Sequence, residues 1–166
     1  FVDDERVEID LLADRLERIA ADAGEKAVVE IVAADDVPME QVHAVHRALV
    51  AAGLSRVRYD GPHRQAIPLV LPPPAAAERI ESLPAKLVID VLIGGDGRVS
   101  VDGETVEMER FVSIVEGRLV GEGSGSVVRL RSAPDAPKGA FQDVLEALNE
   151  AGANRVFVDF LETPGD

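Results

Sequence analysis

A two-layer α+β fold, built twice in tandem, is what this sequence predicts: two β-β-α-β-α-β units, each a small mixed sheet with two helices on one face. Three observations predict it. The chain matches itself when shifted by 99 residues, aligning positions 2–60 with 101–159 without a gap and with 20 identities among the 59 pairs. Its apolar residues switch between strand and helix spacing in the same order in both copies. Finally, 46% of its 166 residues are hydrophobic with only 4% aromatic, enough to bury an aliphatic core.

The second copy is the more complete. Leu87–Ile93 is a β-favouring apolar run, closed by the turn cluster Gly94-Gly95-Asp96-Gly97. Arg98–Val101 alternates as a short strand into the hairpin dipeptide Asp102-Gly103. From Glu107 to Val120, Met108, Phe111, Val112, Val115 and Leu119 recur at helical spacing, and the GEGSGS stretch from Gly121 ends the helix. Val127–Arg131 is the next strand. Asp135-Ala136-Pro137 opens a second helix, with Pro suited to the first turn and Asp to the helix dipole. Its core stripe is Phe141, Val144, Leu145 and Leu148, and Ala151-Gly152 stops it. Arg155–Phe160 closes the unit.

The first copy repeats this plan from its second strand onward: helix 8–22, strand 27–33, helix 38–52, strand 55–60. Its first strand is missing, leaving an unpaired edge. Either a preceding segment fills it, or Ile67–Leu71 (IPLVL) does. The stretch between the copies, 61–86, holds six of the ten prolines and carries a net charge of +1, against −7 and −8 on either side. It predicts a tether, with one or two helical turns over Ala75–Leu83. The organisation is therefore a first repeat (1–60), a Pro-rich linker (61–86) and a second repeat (87–166). The copies are expected to pair as an intramolecular pseudo-dimer, since a 26-residue linker easily spans neighbouring domains.

Composition narrows function. A formal charge of −14 argues against nucleic acid and anionic lipid, both of which require dense Lys and Arg. With no cysteine there is no disulfide, thiol chemistry or Cys-based metal site. The most apolar stretch, 66–77, contains four prolines and is too short to span a bilayer. Because residue 1 is Phe, a preceding segment is expected, a membrane anchor included.

No constellation of reactive residues emerges. His43 and His46 are spaced for one helix face and could reach a metal, but the second copy carries Gln142 and Leu145 there. That comparison predicts a semi-buried and an exposed histidine, with His46 on the core side. His63 stands alone. The glycine clusters lack the Lys-Ser or Lys-Thr of a phosphate loop, and Asp96 and Glu122 would repel phosphate. The acids shared by both copies (Asp3, Glu5, Glu8, Asp36, Asp60 and their partners Asp102, Glu104, Glu107, Asp135, Asp159) fall at turns and element ends, where they solvate and cap. Neither G-x-S-x-G nor H-E-x-x-H occurs. The expectation is a non-enzymatic scaffold with no catalytic residue, cofactor or metal. Its edge strands and linker would meet a partner strand, through Ile67, Leu69, Leu71, Arg155 and Phe157.

The ordered motifs resemble the periplasmic domain of the ExbD/TolR family. Residues 96–103 (DGRVSVDG) match that family's strand-ending turn, 106–111 (VEMERF) its helix start and Val127–Ala133 its next strand. Asp135-Ala136-Pro137 and Asp36-Val37-Pro38 match its second helix start, and Ala151-Gly152 and Ala52-Gly53 the stop before a strand. Residues 67–72 (IPLVLP) look like the family's extended stretch after its membrane helix. The resemblance implies a periplasmic domain of a single-pass protein in the inner membrane of a Gram-negative bacterium. It would be a stator or coupling part of a proton-motive-force motor for energised transport or envelope maintenance. The implied partners are an ExbB/TolQ-like membrane protein and a TonB/TolA-like protein or peptidoglycan, with self-association as a dimer. The family's proton-carrying aspartate lies in its membrane helix, so no acid of this chain inherits that role. Family members usually carry one such domain per chain, whereas this chain holds two. The alternative is a stand-alone periplasmic module binding cell-wall peptide or a partner strand, without a motor.

Overall fold

A computed structural model of the chain describes residues 9–24, 26–61, 64–70, 76–122 and 125–159. The first repeat begins with α1 (Ile9–Ala23), whose Leu12, Leu16, Ile19 and Ala20 recur at helical spacing against the core. Strand β1 (Val28–Val32) follows, then α2 (Met39–Ala51) and β2 (Arg56–Gly61), which runs parallel to β1 as the intervening helix requires. Gly53, at a φ of 79°, takes the left-handed conformation that ends α2, as Gly152 does at the matching place in the second repeat.

The expected tether is structured in part. It contributes β3 (Arg64–Val70), a short helix α3 (Ala76–Glu81) and a 3₁₀ turn at Ala85–Leu87. β3 corrects the expectation for Ile67–Leu71. The segment through Val70 is indeed a strand, but it pairs antiparallel with β2 (Ile67 opposite Tyr59, Leu69 opposite Val57) and not beside β1. Leu71 lies outside the described residues. Only two residues separate Gly61 from Arg64, which favours a return alongside the strand just left. Pro68 is tolerated because β3 is an edge strand.

The second repeat comprises β4 (Val88–Ile93), β5 (Val99–Val101), β6 (Glu104–Val106), α4 (Met108–Glu122), β7 (Val127–Ser132), α5 (Lys138–Glu150) and β8 (Val156–Asp159). β6 adds a strand to the expected order. It arises because Asp102 and Gly103, with φ of 50° and 87°, form a tight turn of the kind that closes two-residue hairpins. The sheets are β1-β2-β3 and β6-β5-β4-β7-β8. The alternation of the larger sheet sends Ile89, Val91, Ile93, Val128, Leu130 and Val158 into the core, all at most 1% exposed. Its opposite face carries Val88, Asp90, Arg129 and Phe157.

One continuous apolar core joins the two repeats, drawing Leu16, Ile31, Met39 and Val57 from the first and Phe111, Val115, Phe141 and Leu148 from the second. The helix starts meet around Pro38 and Pro137, which form an isolated antiparallel bridge. These prolines are equivalent under the 99-residue shift, so the bridge lies on a pseudo-twofold axis.

Candidate functional site

The repeat boundary is built from helix starts that lack caps of their own. Pro38 and Pro137 occupy the N-cap positions in extended conformation, and neither helix has a side-chain capping bond. The expectation that Asp36 and Asp135 serve this purpose is therefore corrected. A helix leaves its first N–H groups without intrahelical partners. Here the other repeat supplies them. Met39 N–H donates to Ala136 O and Lys138 N–H to Val37 O, both at 2.8 Å. Glu40 N–H donates to Pro134 O at 2.8 Å and Gly139 N–H to Asp35 O at 2.9 Å. Each pair maps onto the other under the repeat shift, as an isologous interface demands. At roughly 1 kcal/mol net per bond, the four contribute several kcal/mol to holding the repeats together.

Behind these bonds lies a polar cluster. His43 and His46 are 1% and 0% exposed, which corrects the expectation of one semi-buried and one exposed histidine. The face of α2 that a lone repeat would leave in water is covered here by the second repeat. His43 Nε2 meets the Ser132 hydroxyl at 3.0 Å, and His46 Nε2 meets the Tyr59 hydroxyl. Phe141 stands edge-on to Tyr59 with ring centroids 5.6 Å apart, so the chain's one tyrosine is packed across the boundary. Burial lowers the His43 pKa to about 4, with the nearby Arg47 charge assisting. Burial also lowers His46 to about 3, helped by His43 and Arg47, and raises the Tyr59 pKa. Both imidazoles are neutral at pH 7, and neither is poised for proton transfer there.

Lys138 is fully buried and donates from Nζ to Ala33 O at 2.7 Å, with Asp35 Oδ1 at 3.3 Å. Among the described residues, no group of three or more His, Asp or Glu could hold a metal ion. No helix among them is long and apolar enough to cross a membrane.

A concavity of about 380 Å³, open to solvent, lies between α3 and the outer face of the larger sheet. Ile80 and Leu83 pack there on Val88, Val127 and Phe157, while Glu81, Asp90, Asp102 and Arg129 supply its polar wall. Asp90 accepts from Nε of both Arg129 and Arg131 at 3.1 Å, and its hydrogen bond raises the Arg129 pKa. These charges satisfy one another.

The residues expected to meet a partner are dispersed. Ile67 and Leu69 lie in β3, at the far edge of the smaller sheet. Phe157, in the edge strand β8, is 8% exposed beneath α3. Arg155 is exposed just before β8, its guanidinium 3.4 Å from Gly125 O. The boundary cluster escaped sequence reasoning: α2 and α5 share only Val45, Ala48 and Leu49 with their counterparts, so the two histidines did not stand out from the other differences. No protein-family model and no curated protein matches the chain.

Proposed function

We propose that this chain is a non-enzymatic periplasmic coupling domain of the ExbD/TolR kind, in which two covalently joined repeats take the place of a dimer of separate chains. The observation that carries the reading is the reciprocal capping of α2 and α5 around Pro38 and Pro137. It makes the helix start that resembles the family's motif the place where two such units dock. A coupling part must hold two units in fixed relation under load, and paired backbone bonds over a shared core serve that purpose. In this reading a membrane segment precedes the domain and engages an ExbB/TolQ-like partner, while the exposed sheet edges meet a TonB/TolA-like protein or peptidoglycan.

The test is to incubate the purified chain with isolated Gram-negative sacculi and, separately, with the periplasmic regions of TonB and TolA carrying photocrosslinkers. Saturable co-sedimentation with sacculi or a specific crosslink supports the reading. Failure in all three assays overturns it.

A further inference from the structure

The two faces that meet at the boundary match in backbone and differ in side chains, and differences on one side are answered on the other. Under the 99-residue shift Asp35, Met39 and Glu40 correspond to Pro134, Lys138 and Gly139, and Ala33 corresponds to Ser132. Lys138, fully buried, sends its ammonium across the boundary to Ala33 O at 2.7 Å and Asp35 Oδ1 at 3.3 Å. Gly139 leaves room for the same aspartate, since a Cβ there would lie 2.9 Å from Asp35 Cβ. At the matching contact Glu40, which does carry a Cβ, meets Pro134 in place of an acid and donates its N–H to Pro134 O at 2.8 Å. His43 takes the Ser132 hydroxyl at 3.0 Å, and Tyr59 takes the ring edge of Phe141.

We infer that these differences form a pairing code: the boundary face of the first repeat accepts a second repeat and rejects another first repeat, and the reverse holds for the second. Two first repeats docked in this geometry would press Glu40 of each against Asp35 of the other. That places Cβ against Cβ where glycine now stands, and sets two pairs of like charges at one joint. Both His43 rings would face Ala33, which has no hydroxyl. Two second repeats would bury two Lys138 ammonium groups, each facing Pro134 in place of its carboxylate. Gln142 would gain the Ser132 hydroxyl there, but a hydrogen bond between neutral groups returns less than an unpaired buried charge costs. In a tandem chain this rejection has a consequence. Like pairing would link chains end to end without closure, whereas unlike pairing closes within one chain. The partner that each face fits is therefore the opposite repeat, and a second copy of the chain can enter only by reciprocal exchange of repeats.

The test rewrites the code within the intact 166-residue chain. Pro134→Asp, Lys138→Met and Gly139→Glu together give both repeats the first face, and Asp35→Pro, Met39→Lys and Glu40→Gly together give both the second. Each triple variant is expected to lose about 1 M or more from the urea midpoint, or to fail to fold. The chain with all six changes restores unlike pairing with the roles of the repeats reversed, so that lysine again faces aspartate and glutamate again faces proline. It should return to within about 0.5 M of the unaltered midpoint and remain a monomer in light scattering. Side chains that mattered only to their own repeat would instead give additive losses. A combined chain at or below the midpoint of the better triple variant, or one that does not fold, would overturn the inference. So would a triple variant as stable as the unaltered chain. None of these readouts involves sacculi or TonB-type proteins, so the pairing code and the proposed function fail separately.

Discussion

His43 and Gln142 occupy the same position in their repeats and face opposite strands, yet only one finds a side-chain hydroxyl. His43 meets Ser132, whereas the counterpart of Ser132 in the first repeat is Ala33. Both amide atoms of Gln142 are buried without a hydrogen-bond partner among the described residues. A buried amide in that state costs about 1–3 kcal/mol. Gln142→Met, similar in shape and free of amide atoms, is expected to raise the urea midpoint by about 1 kcal/mol of stability, recovering part of that cost. A lower midpoint would show that the amide is satisfied after all. The histidines supply a pH prediction. Each is neutral when folded and binds its proton readily when unfolded, so the unfolded state holds more protons between pH 6.5 and the lowered pKa values of about 4 and 3. Stability is full above pH 6.5 and falls as pH drops, by about 2 kcal/mol per histidine at pH 5. His43→Gln, the residue of the other repeat, should remove close to half of that slope in urea titrations at pH 7.5 and 5. An unchanged slope would count against burial as its cause. Sequence comparison correctly turned His46 toward the core, since its counterpart is Leu145. It missed the burial of His43, because that residue is covered by another repeat and not by its own helix and sheet.

Local order was highly legible because every element from α1 to β2 could be read twice, and each lies within about two residues of its expected bounds. What composition concealed was β3. Proline punctuates that segment and argues against a central strand, but an edge strand tolerates it, and hairpin proximity to β2 outweighed the tether reading. Reciprocal capping was equally hidden: the two D-x-P motifs signalled helix starts but not that each start would be capped by the other. Gly139 tests that contact. A Cβ there would sit 2.9 Å from Asp35 Cβ and 3.3 Å from Asp35 O, against the backbone that accepts the Gly139 N–H. Gly139→Ala is expected to destabilise by about 1–3 kcal/mol through overpacking at the boundary. The control is Gly117 in α4, whose added Cβ meets nothing within 4 Å. There Gly117→Ala should stabilise by up to about 1 kcal/mol through helix propensity. Thermal melts of both variants read the opposite signs, and equal shifts would mean the boundary yields without cost.

Across the whole molecule, a shared core and exchanged caps make the repeats thermodynamically inseparable. If each repeat closed its own core, the linker would be a passive tether and the halves could melt apart. Instead, α2 and α5 each lose bonds for their first N–H groups when the other repeat leaves, and Tyr59, His46 and Phe141 lose their common packing. A single cooperative transition is therefore expected, with the chain remaining a monomer of 17.7 kDa in light scattering because its dimer-like contact is satisfied internally. Tyr59 is a built-in reporter, being the only tyrosine in a chain without tryptophan and lying at the boundary itself. Its fluorescence should change at the same urea concentration as the far-ultraviolet dichroism, which reports both repeats together. If tyrosine emission moved first, the repeats would be separating while still folded, and the boundary would be a loose docking contact. Coincident midpoints at several protein concentrations would instead establish that the duplication had become one folding unit, with the cap exchange as its central joint.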